Sequence, residues 1–123
     1  MSLPGFLGFP IEGASAGLGT PVSHTGSATI SSGGIHDNIG ASGTITFTLA
    51  ATPGLHFVVK RIATQEVRIA PASGKTILWS GGTMAANEYL RLTGDGATIE
   101  GYVDSTGDVQ VIAEFGLIAE QTP

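Results

Sequence analysis

With 123 residues, the chain has room for one small domain. Its formal net charge of −5, and the lack of any Lys or Arg before Lys60, argue against a nucleic-acid partner because phosphate binding needs clustered basic residues. The absence of cysteine excludes a disulfide framework and a thiolate metal site. No apolar run is long enough to span a membrane, and the first residues lack the positive charge of a signal peptide, so we expect no membrane partner.

The composition predicts self-association. Only 12% of the residues are charged, 19 are glycine, and the mean hydropathy is +0.28. An ordinary soluble domain carries about 25% charged residues. A monomer with so little charge would expose a weakly solvated surface, which association would bury. We therefore expect a homo-oligomer, with a trimer as the preferred state.

Residues 1–43 are predicted to form an extended N-terminal arm. This segment holds more than half of the glycines and shows no sustained helical or alternating period. It also carries large apolar side chains, which free linkers usually lack. We therefore expect the arm to contact a partner. The residues predicted to make that contact are Leu3, Phe6, Leu7, Phe9 and Ile11.

From Thr44 onward the hydrophobic pattern alternates with a period of two, which indicates β-strands. The predicted strands are 44–49, 55–61, 66–70, 76–79, 88–93, 97–103 and 108–115. Turn residues separate them, including a Pro53-Gly54 turn and a hairpin at Asp95-Gly96, and Gly101 predicts a bulge. Met84–Asn87 could form one helical turn. The prediction is an all-β fold, a compact antiparallel β-sandwich or barrel of about seven strands, over residues 44–123.

Three segments carry a family resemblance: "TITFTLAATPGLHFVVK", "VRIAPASGKTILWSGG" and "EYLRLTGDGATIEGYVDSTGDVQV". In spacing and turns they resemble the small β-domain structural proteins of tailed phages and prophages. The likeness covers about the last two-thirds of the chain. It departs near its end, where Asp108–Val111 stands in place of an aromatic residue. The resemblance implies a virion surface component, namely a capsid-decoration, head-fibre or tail-fibre module, with no catalytic residues to carry over.

Two short motifs suggest catalysis but lack the context it needs. Gly13–Gly17 matches the G-x-S-x-G nucleophile motif around Ser15, yet neither a strand before it nor a helix after it is predicted. Gly74-Lys75-Thr76 matches the end of a phosphate-binding loop, but a strand follows where a helix is required. We therefore interpret the first motif as a chance string of small residues and the second as a turn.

Three groups of side chains leave alternatives open. His24, His36 and His56 are interpreted as turn and surface residues, with an ion site on a threefold axis lined by His24 or His36 as the alternative. The acidic stretch is interpreted as turn chemistry, with calcium binding or catalysis as alternatives; it comprises Asp95, Glu100, Asp104 and Asp108. The large aromatics are interpreted as core or subunit-interface residues, with a sugar-stacking platform as the alternative; they are Trp79, Tyr89 and Tyr102.

The resemblance, taken with the apolar arm and the low charge, implies a phage capsid-decoration protein, and we expect it not to be an enzyme and to need no cofactor or metal. We expect it to sit on the capsid surface of the virion, to contact the major capsid protein or other virion proteins, and to stabilise the shell through its arm. The alternative is a tail-fibre, spike or head-fibre module that binds a host surface glycan.

Overall fold

A computed structural model describes residues 19–121 and shows an all-β fold in which this range contains no helix. Twelve strands follow one another along it. They are β1 (Val22–Ser23), β2 (Ala28–Ile30), β3 (Gly34–Asp37), β4 (Ile45–Leu49), β5 (His56–Lys60), β6 (Val67–Ala70), β7 (Ile77–Trp79), β8 (Gly82–Thr83), β9 (Leu90–Leu92), β10 (Thr98–Val103), β11 (Val109–Phe115) and β12 (Ile118–Glu120). The seven strands predicted from the alternating pattern are confirmed as β4, β5, β6, β7, β9, β10 and β11.

The strands form two mixed sheets. The seven-stranded sheet has the order β1-β3-β5-β10-β11-β7-β8, and the five-stranded sheet has the order β12-β9-β6-β4-β2. Parallel pairs join β1 to β3, β3 to β5, β2 to β4, β4 to β6 and β7 to β11. The prediction of an antiparallel fold is therefore wrong. An alternating pattern reports which side chains face inward, but it does not report the direction of the neighbouring strand.

Three strands lie within the segment that the sequence assigns to the arm. Residues 22–37 contain β1, β2 and β3, which extend both sheets at one end. The strands are only two to four residues long, too short for an alternating period to register. Gly33 permits the approach of β3 to β5, because a Cβ on it would lie 2.7 Å from the His56 carbonyl oxygen. The earlier part of the arm, residues 1–18, lies outside the described residues, as do residues 122 and 123.

Two predicted hairpins are connections between the sheets. The turn at Pro53-Gly54 joins β4 in the five-stranded sheet to β5 in the seven-stranded sheet. The turn at Asp95-Gly96 joins β9 to β10 across the same division, so the prediction of a hairpin there is wrong although Gly96 has the positive φ of a tight turn. The predicted helical turn at residues 84–87 is a non-helical turn with Asn87 at a φ of 69°.

The inward-facing residues of both sheets form one hydrophobic core. The burial of β4 and β5 alternates residue by residue, which places Phe47 and Phe57 in the core with no exposed surface. Each fully buried Val, Leu, Ile or Phe side chain stabilises the fold by about 1.5–3 kcal/mol. The bulge predicted at Gly101 is confirmed, because the β10–β11 register shifts between Glu100 and Gly101. A Cβ on Gly101 would lie 2.4 Å from the Gln110 carbonyl oxygen, so only glycine fits.

A buried polar group holds the loop between β5 and β6. The Asn38 side chain has no exposed surface; its Oδ1 accepts hydrogen bonds from the backbone N–H groups of Ile62 and Ala63 at 2.7 and 2.9 Å. Its Nδ2 donates to the carbonyls of Ala63 and Gln65 at 3.4 and 3.3 Å. Arg61, also buried, donates to the Gln65 carbonyl at 2.9 Å. These bonds satisfy backbone groups that the loop itself leaves unpaired.

Candidate functional site

Two histidines that are twelve residues apart in the sequence meet at one end of the core. His24 Nε2 and His36 Nδ1 lie 3.0 Å apart, and both rings lie against Phe47, with ring centroids 4.8 and 6.2 Å away. The parallel pairing of β1 with β3 brings them together, because the chain leaves β1 at His24 directly beside Asp37. The short contact needs one N–H and one unprotonated nitrogen, so it requires at least one neutral imidazole. His56 lies elsewhere, on the outer face of the seven-stranded sheet.

Burial, and secondarily the nearby His24, hold the pKa of His36 below its usual value, against smaller opposing effects of the Ser32 backbone and Asp37. The unfolded chain therefore takes up a proton before the folded protein does as the pH falls. We expect stability to be full above about pH 6.5 and to fall below it by up to about 1.4 kcal/mol per pH unit, until the lower pKa of the folded state is passed. Urea unfolding at about pH 7.5 and about pH 5.5 measures this loss.

Two variants test whether His36 is the source of the stability lost at lower pH. His36→Asn is expected to flatten the pH dependence, since the titrating ring is removed. His56→Asn is expected to retain it, since His56 lies outside the core. The carboxyl groups whose pKa values are lowered, at Glu66, Asp104 and Asp108, lose their stabilisation only at more acid pH. If lowering the pH cost the His36→Asn variant as much stability as the unchanged protein, the assignment of the loss to His36 would be contradicted.

The acidic turn between β10 and β11 is held by its own hydrogen bonds. Asp104 Oδ1 accepts from the backbone N–H and the hydroxyl of Thr106 at 2.8 and 2.6 Å, and Asp104 Oδ2 accepts from Gln110 at 2.9 Å. The Thr106 and Gln110 side chains are the main causes that lower the pKa of Asp104 to about 2. Asp108 accepts from the backbone N–H of Thr76 at 2.9 Å. The bonds between Asp104 and Thr106 are the local bonding that the turn interpretation predicts, whereas the Asp108–Thr76 bond joins residues 32 positions apart.

The Gly74-Lys75-Thr76 segment is a turn, as interpreted from the sequence. Gly74 has a φ of 79°, and its N–H donates to Asn87 Oδ1 at 2.7 Å. Lys75 Nζ donates to the Thr106 carbonyl at 2.7 Å. The strand β7 follows directly, so no helix N-terminus faces a phosphate here. The other motif, around Ser15, lies outside the described residues.

The three large aromatics do not form one platform. Trp79 packs against the core, and its indole N–H donates to Glu120 Oε2 at 2.9 Å. Tyr89 lies beneath the Arg68 guanidinium, 4.8 Å from the ring centroid, beside the five-stranded sheet. Tyr102 is 40% exposed on the seven-stranded sheet, at the register position next to His56. Of the three, only Tyr102 is among the exposed large hydrophobic side chains.

The outer faces of the two sheets differ in chemistry. On the five-stranded sheet, Glu66 lies between Arg68 and Arg91, with a 2.7 Å contact to Arg68 Nε and a 3.1 Å contact to Arg91 Nη2. The neighbouring outward positions of β4 are threonines. On the seven-stranded sheet, His56 Nε2 and Glu100 Oε2 lie 2.7 Å apart. Around that pair the exposed side chains include Tyr102 and Phe115. The seven-stranded sheet therefore presents the more apolar face.

The most apolar part of this surface lies along β11. The three most exposed of the large hydrophobic side chains are Ile112 at 58%, Phe115 at 70% and Leu117 at 69%, and all three belong to β11 or the turn after it. Leu78, 42% exposed on β7, lines an open groove of about 450 Å³ together with Ile112. We call these four residues the apolar edge. Clustered apolar exposure of this kind is typical of an interaction surface.

The sequence-predicted contact residues on the arm lie outside the described residues; they are Leu3, Phe6, Leu7, Phe9 and Ile11. Sequence reasoning did not identify the apolar edge, because the apolar residues of β11 resemble those of any half-buried strand. The one available signal is the run from Val111 to Ile118, which contains Glu114 as its only charged residue and no proline.

Between Gly19 and Gln121, no three His, Asp or Glu side chains converge in a way that could hold a metal ion. The same range contains no helix of the length and apolar character needed to cross a membrane. The arrangement provides a surface for binding: an apolar edge, an exposed tyrosine beside a His–Glu pair, and an opposite face that is polar.

No protein-family model and no curated protein matches this chain.

Proposed function

We propose that this chain is a non-enzymatic structural protein of a phage particle, a capsid-decoration protein that forms a homo-oligomer, with a trimer preferred, on the head surface. In this proposal a β-sandwich forms the displayed body, and the arm makes the holding contacts with neighbouring subunits. The observation that carries the proposal is the apolar edge, which would be poorly solvated on a free monomer. The low charge of the chain supports the same conclusion.

The proposed mechanism is mechanical. A protein that binds only the assembled shell shifts the assembly equilibrium toward the shell by mass action. An extended arm suits this task because it can add main-chain hydrogen bonds to a strand edge and place apolar side chains in adjacent pockets. The apolar residues of the arm, Leu3, Phe6, Leu7, Phe9 and Ile11, are proposed to hold the protein to its neighbours.

Deleting residues 2–18 tests the proposal. We expect the copy number on purified particles to fall by at least about tenfold, because a loss of only about 1.4 kcal/mol in binding lowers the affinity that much. The deletion leaves all twelve described strands in place, and urea unfolding checks that the body remains folded. Glu12→Gln, a conservative change in the same segment, is the matched control. Undiminished occupancy of the deleted form would overturn the anchoring role.

Tyr102 favours a second candidate, a fibre or spike module that binds a host surface glycan. Its exposed ring offers a stacking surface beside His56 and Glu100, which supply hydrogen-bonding groups. Trp79 is less suited to this role because its N–H is already bound to Glu120. The location of the protein in imaged particles separates the two functions: decoration predicts many copies over the whole head, and a fibre predicts few copies at one position.

A further inference from the structure

One stretch of β11 has a free edge. β10 pairs with β11 from Val109 to Phe115, at every residue except Ile112. On the other side, β7 pairs with β11 only at Val109 and Gln110. The stretch from Val111 to Phe115 therefore has no strand partner on that side among residues 19–121. It is the longest unpaired strand edge in this range, since the outermost strands of both sheets have two or three residues each.

This free edge lacks two of the usual protections against pairing, lysine and proline. Exposed edges in monomeric proteins are commonly blocked by lysine, by proline or by a covering segment. Residues 111–118 contain neither lysine nor proline. The bulge beside Gly101 leaves Ile112 without a partner in the β10–β11 register, and its side chain is 58% exposed. An edge without lysine or proline that exposes apolar side chains is suited to accept an added strand.

A groove runs beside the free edge, where β7 and β11 separate after Leu78 and Gln110. It has a volume of about 450 Å³ and is lined by Leu78–Ser80 on one side and Gln110–Glu114 on the other. Ser80 donates through its N–H and its hydroxyl to the two carboxylate oxygens of Glu114, at 2.9 and 2.7 Å. The one carboxylate in the groove is therefore occupied. A segment entering the groove would meet the side chains of Leu78 and Ile112, backbone groups, the polar Gln110 side chain and the Ser80–Glu114 pair.

The chain itself contains a segment that fits this edge. Gly5-Phe6-Leu7-Gly8-Phe9 lies between Pro4 and Pro10, so it offers five consecutive residues with backbone N–H groups. The free edge also spans five residues, from Val111 to Phe115. In an extended strand, Phe6 and Gly8 would face one side, and Leu7 and Phe9 the other. No charged side chain occurs between Met1 and Ile11.

We propose that residues 5–9 of a second copy of this chain add a strand to the free edge of β11. The occupant is a second copy because of where the described chain begins. Gly19 precedes β1, and β3, β5 and β10 separate β1 from β11. Four strand spacings amount to about 19 Å, so the same chain could reach β11 only by laying residues 10–18 across the outer face of the seven-stranded sheet. A segment from a second copy reaches the edge without crossing that face, and the low charge of the chain favours association between copies.

An arm-to-edge contact joins two different surfaces, so a rotation that closes the ring generates a cyclic oligomer. Three copies, each giving residues 5–9 to the next, would form the trimer in the proposed function. The inference takes one point from the proposed function, namely that the protein forms an oligomer. The oligomer in free solution tests the inference, and occupancy on particles tests the function.

The absence of cysteine permits a direct crosslinking test. Copies carrying Leu7→Cys are mixed with copies carrying Ala113→Cys, an exposed position on the free edge, under mild oxidation. We expect roughly tenfold or more disulfide-linked dimer than in a mixture of Leu7→Cys with Thr29→Cys, because docking raises the local thiol concentration toward millimolar. Thr29 is exposed on β2, an edge strand of the other sheet, and is the matched control.

Two outcomes of this experiment would overturn the inference. The first is equal crosslinking at Ala113 and Thr29. The second concerns the double variant Leu7→Cys/Ala113→Cys. If this variant forms a disulfide within one chain, while the mixed single variants form none between chains, the arm closes on its own sheet.

A second measurement is independent of thiols. Leu7→Pro removes a backbone N–H from the centre of the five-residue segment, and native mass measurement is expected to shift toward the monomer. Ser2→Pro, outside the segment, is expected to leave the oligomer intact. If Leu7→Pro keeps the oligomer but loses occupancy on particles, the segment binds the shell; the inference then fails while the proposed function survives.

Discussion

Replacing Phe57 with alanine is expected to lower the free energy of unfolding by about 3–5 kcal/mol. Phe57 has no exposed surface, and its ring lies directly below Gly101, where β10 and β11 change register. The glycine leaves no side chain that could move into the space vacated by the ring. The cavity would therefore persist, and its cost adds to the lost burial. Urea unfolding of the two proteins at neutral pH measures the difference.

Phe115→Ala is the matched control because it makes the same chemical change at a position that is 70% exposed. We expect its unfolding free energy, measured on protein dilute enough to be monomeric, to stay within about 0.5 kcal/mol of the unchanged protein. The pair of variants separates core packing from surface chemistry. Losses of similar size in both variants would contradict the division between a buried core and the apolar edge.

Asn38→Ala is expected to cost about 2–4 kcal/mol of stability. The change leaves the N–H groups of Ile62 and Ala63 without the acceptor that the buried Asn38 side chain provides, and an unsatisfied polar group at such a buried position costs about 1–3 kcal/mol. The carbonyls of Ala63 and Gln65 also lose a donor. Thermal or urea unfolding measures the loss, and proteolysis within residues 62–65 is expected to become faster as the loop opens.

Asn87→Gly provides the comparison for Asn38→Ala. Asn87 makes one exposed side-chain hydrogen bond, to the N–H of Gly74, and its φ of 69° suits glycine. We expect a loss of less than about 1 kcal/mol. If Asn38→Ala were equally mild, the loop between β5 and β6 would have to be held by Arg61 alone.

The positions of the longer strands can be predicted from sequence because their inward residues alternate. Ile45, Phe47 and Leu49 show the pattern, and all three are buried. The pairing of β4 cannot be predicted in the same way. An inward residue buries the same apolar surface whether the next strand lies beside it or in the opposite sheet. Turn chemistry also fails to distinguish the two cases, since Pro53-Gly54 would suit a hairpin equally well.

The polar features depend on long-range contacts that the sequence does not record. Asn38 stands among small residues that predict a turn, yet its partners lie 24 to 27 residues away. The contact between His24 and His36 results from the parallel pairing of two short strands. The free edge of β11 arises because β7 is only three residues long. By contrast, the bonding within the Asp104–Asp108 turn is local, and local patterns predict it.

The alternation of the chain between the two sheets has a consequence for folding. From β1 to β6, no strand pairs with the next strand along the chain. For example, β3 can pair with β5 only after β5 has been synthesised, and β4 with β6 only after β6 has been synthesised. Within residues 19–121, pairing between consecutive strands occurs only at β7–β8 and β10–β11. A chain emerging from the ribosome therefore exposes its early strands before their partners exist, and non-local pairing of this kind folds slowly. We expect the β10–β11 hairpin to provide the template on which β5, then β3 and β1, assemble in the reverse of the order in which they are synthesised.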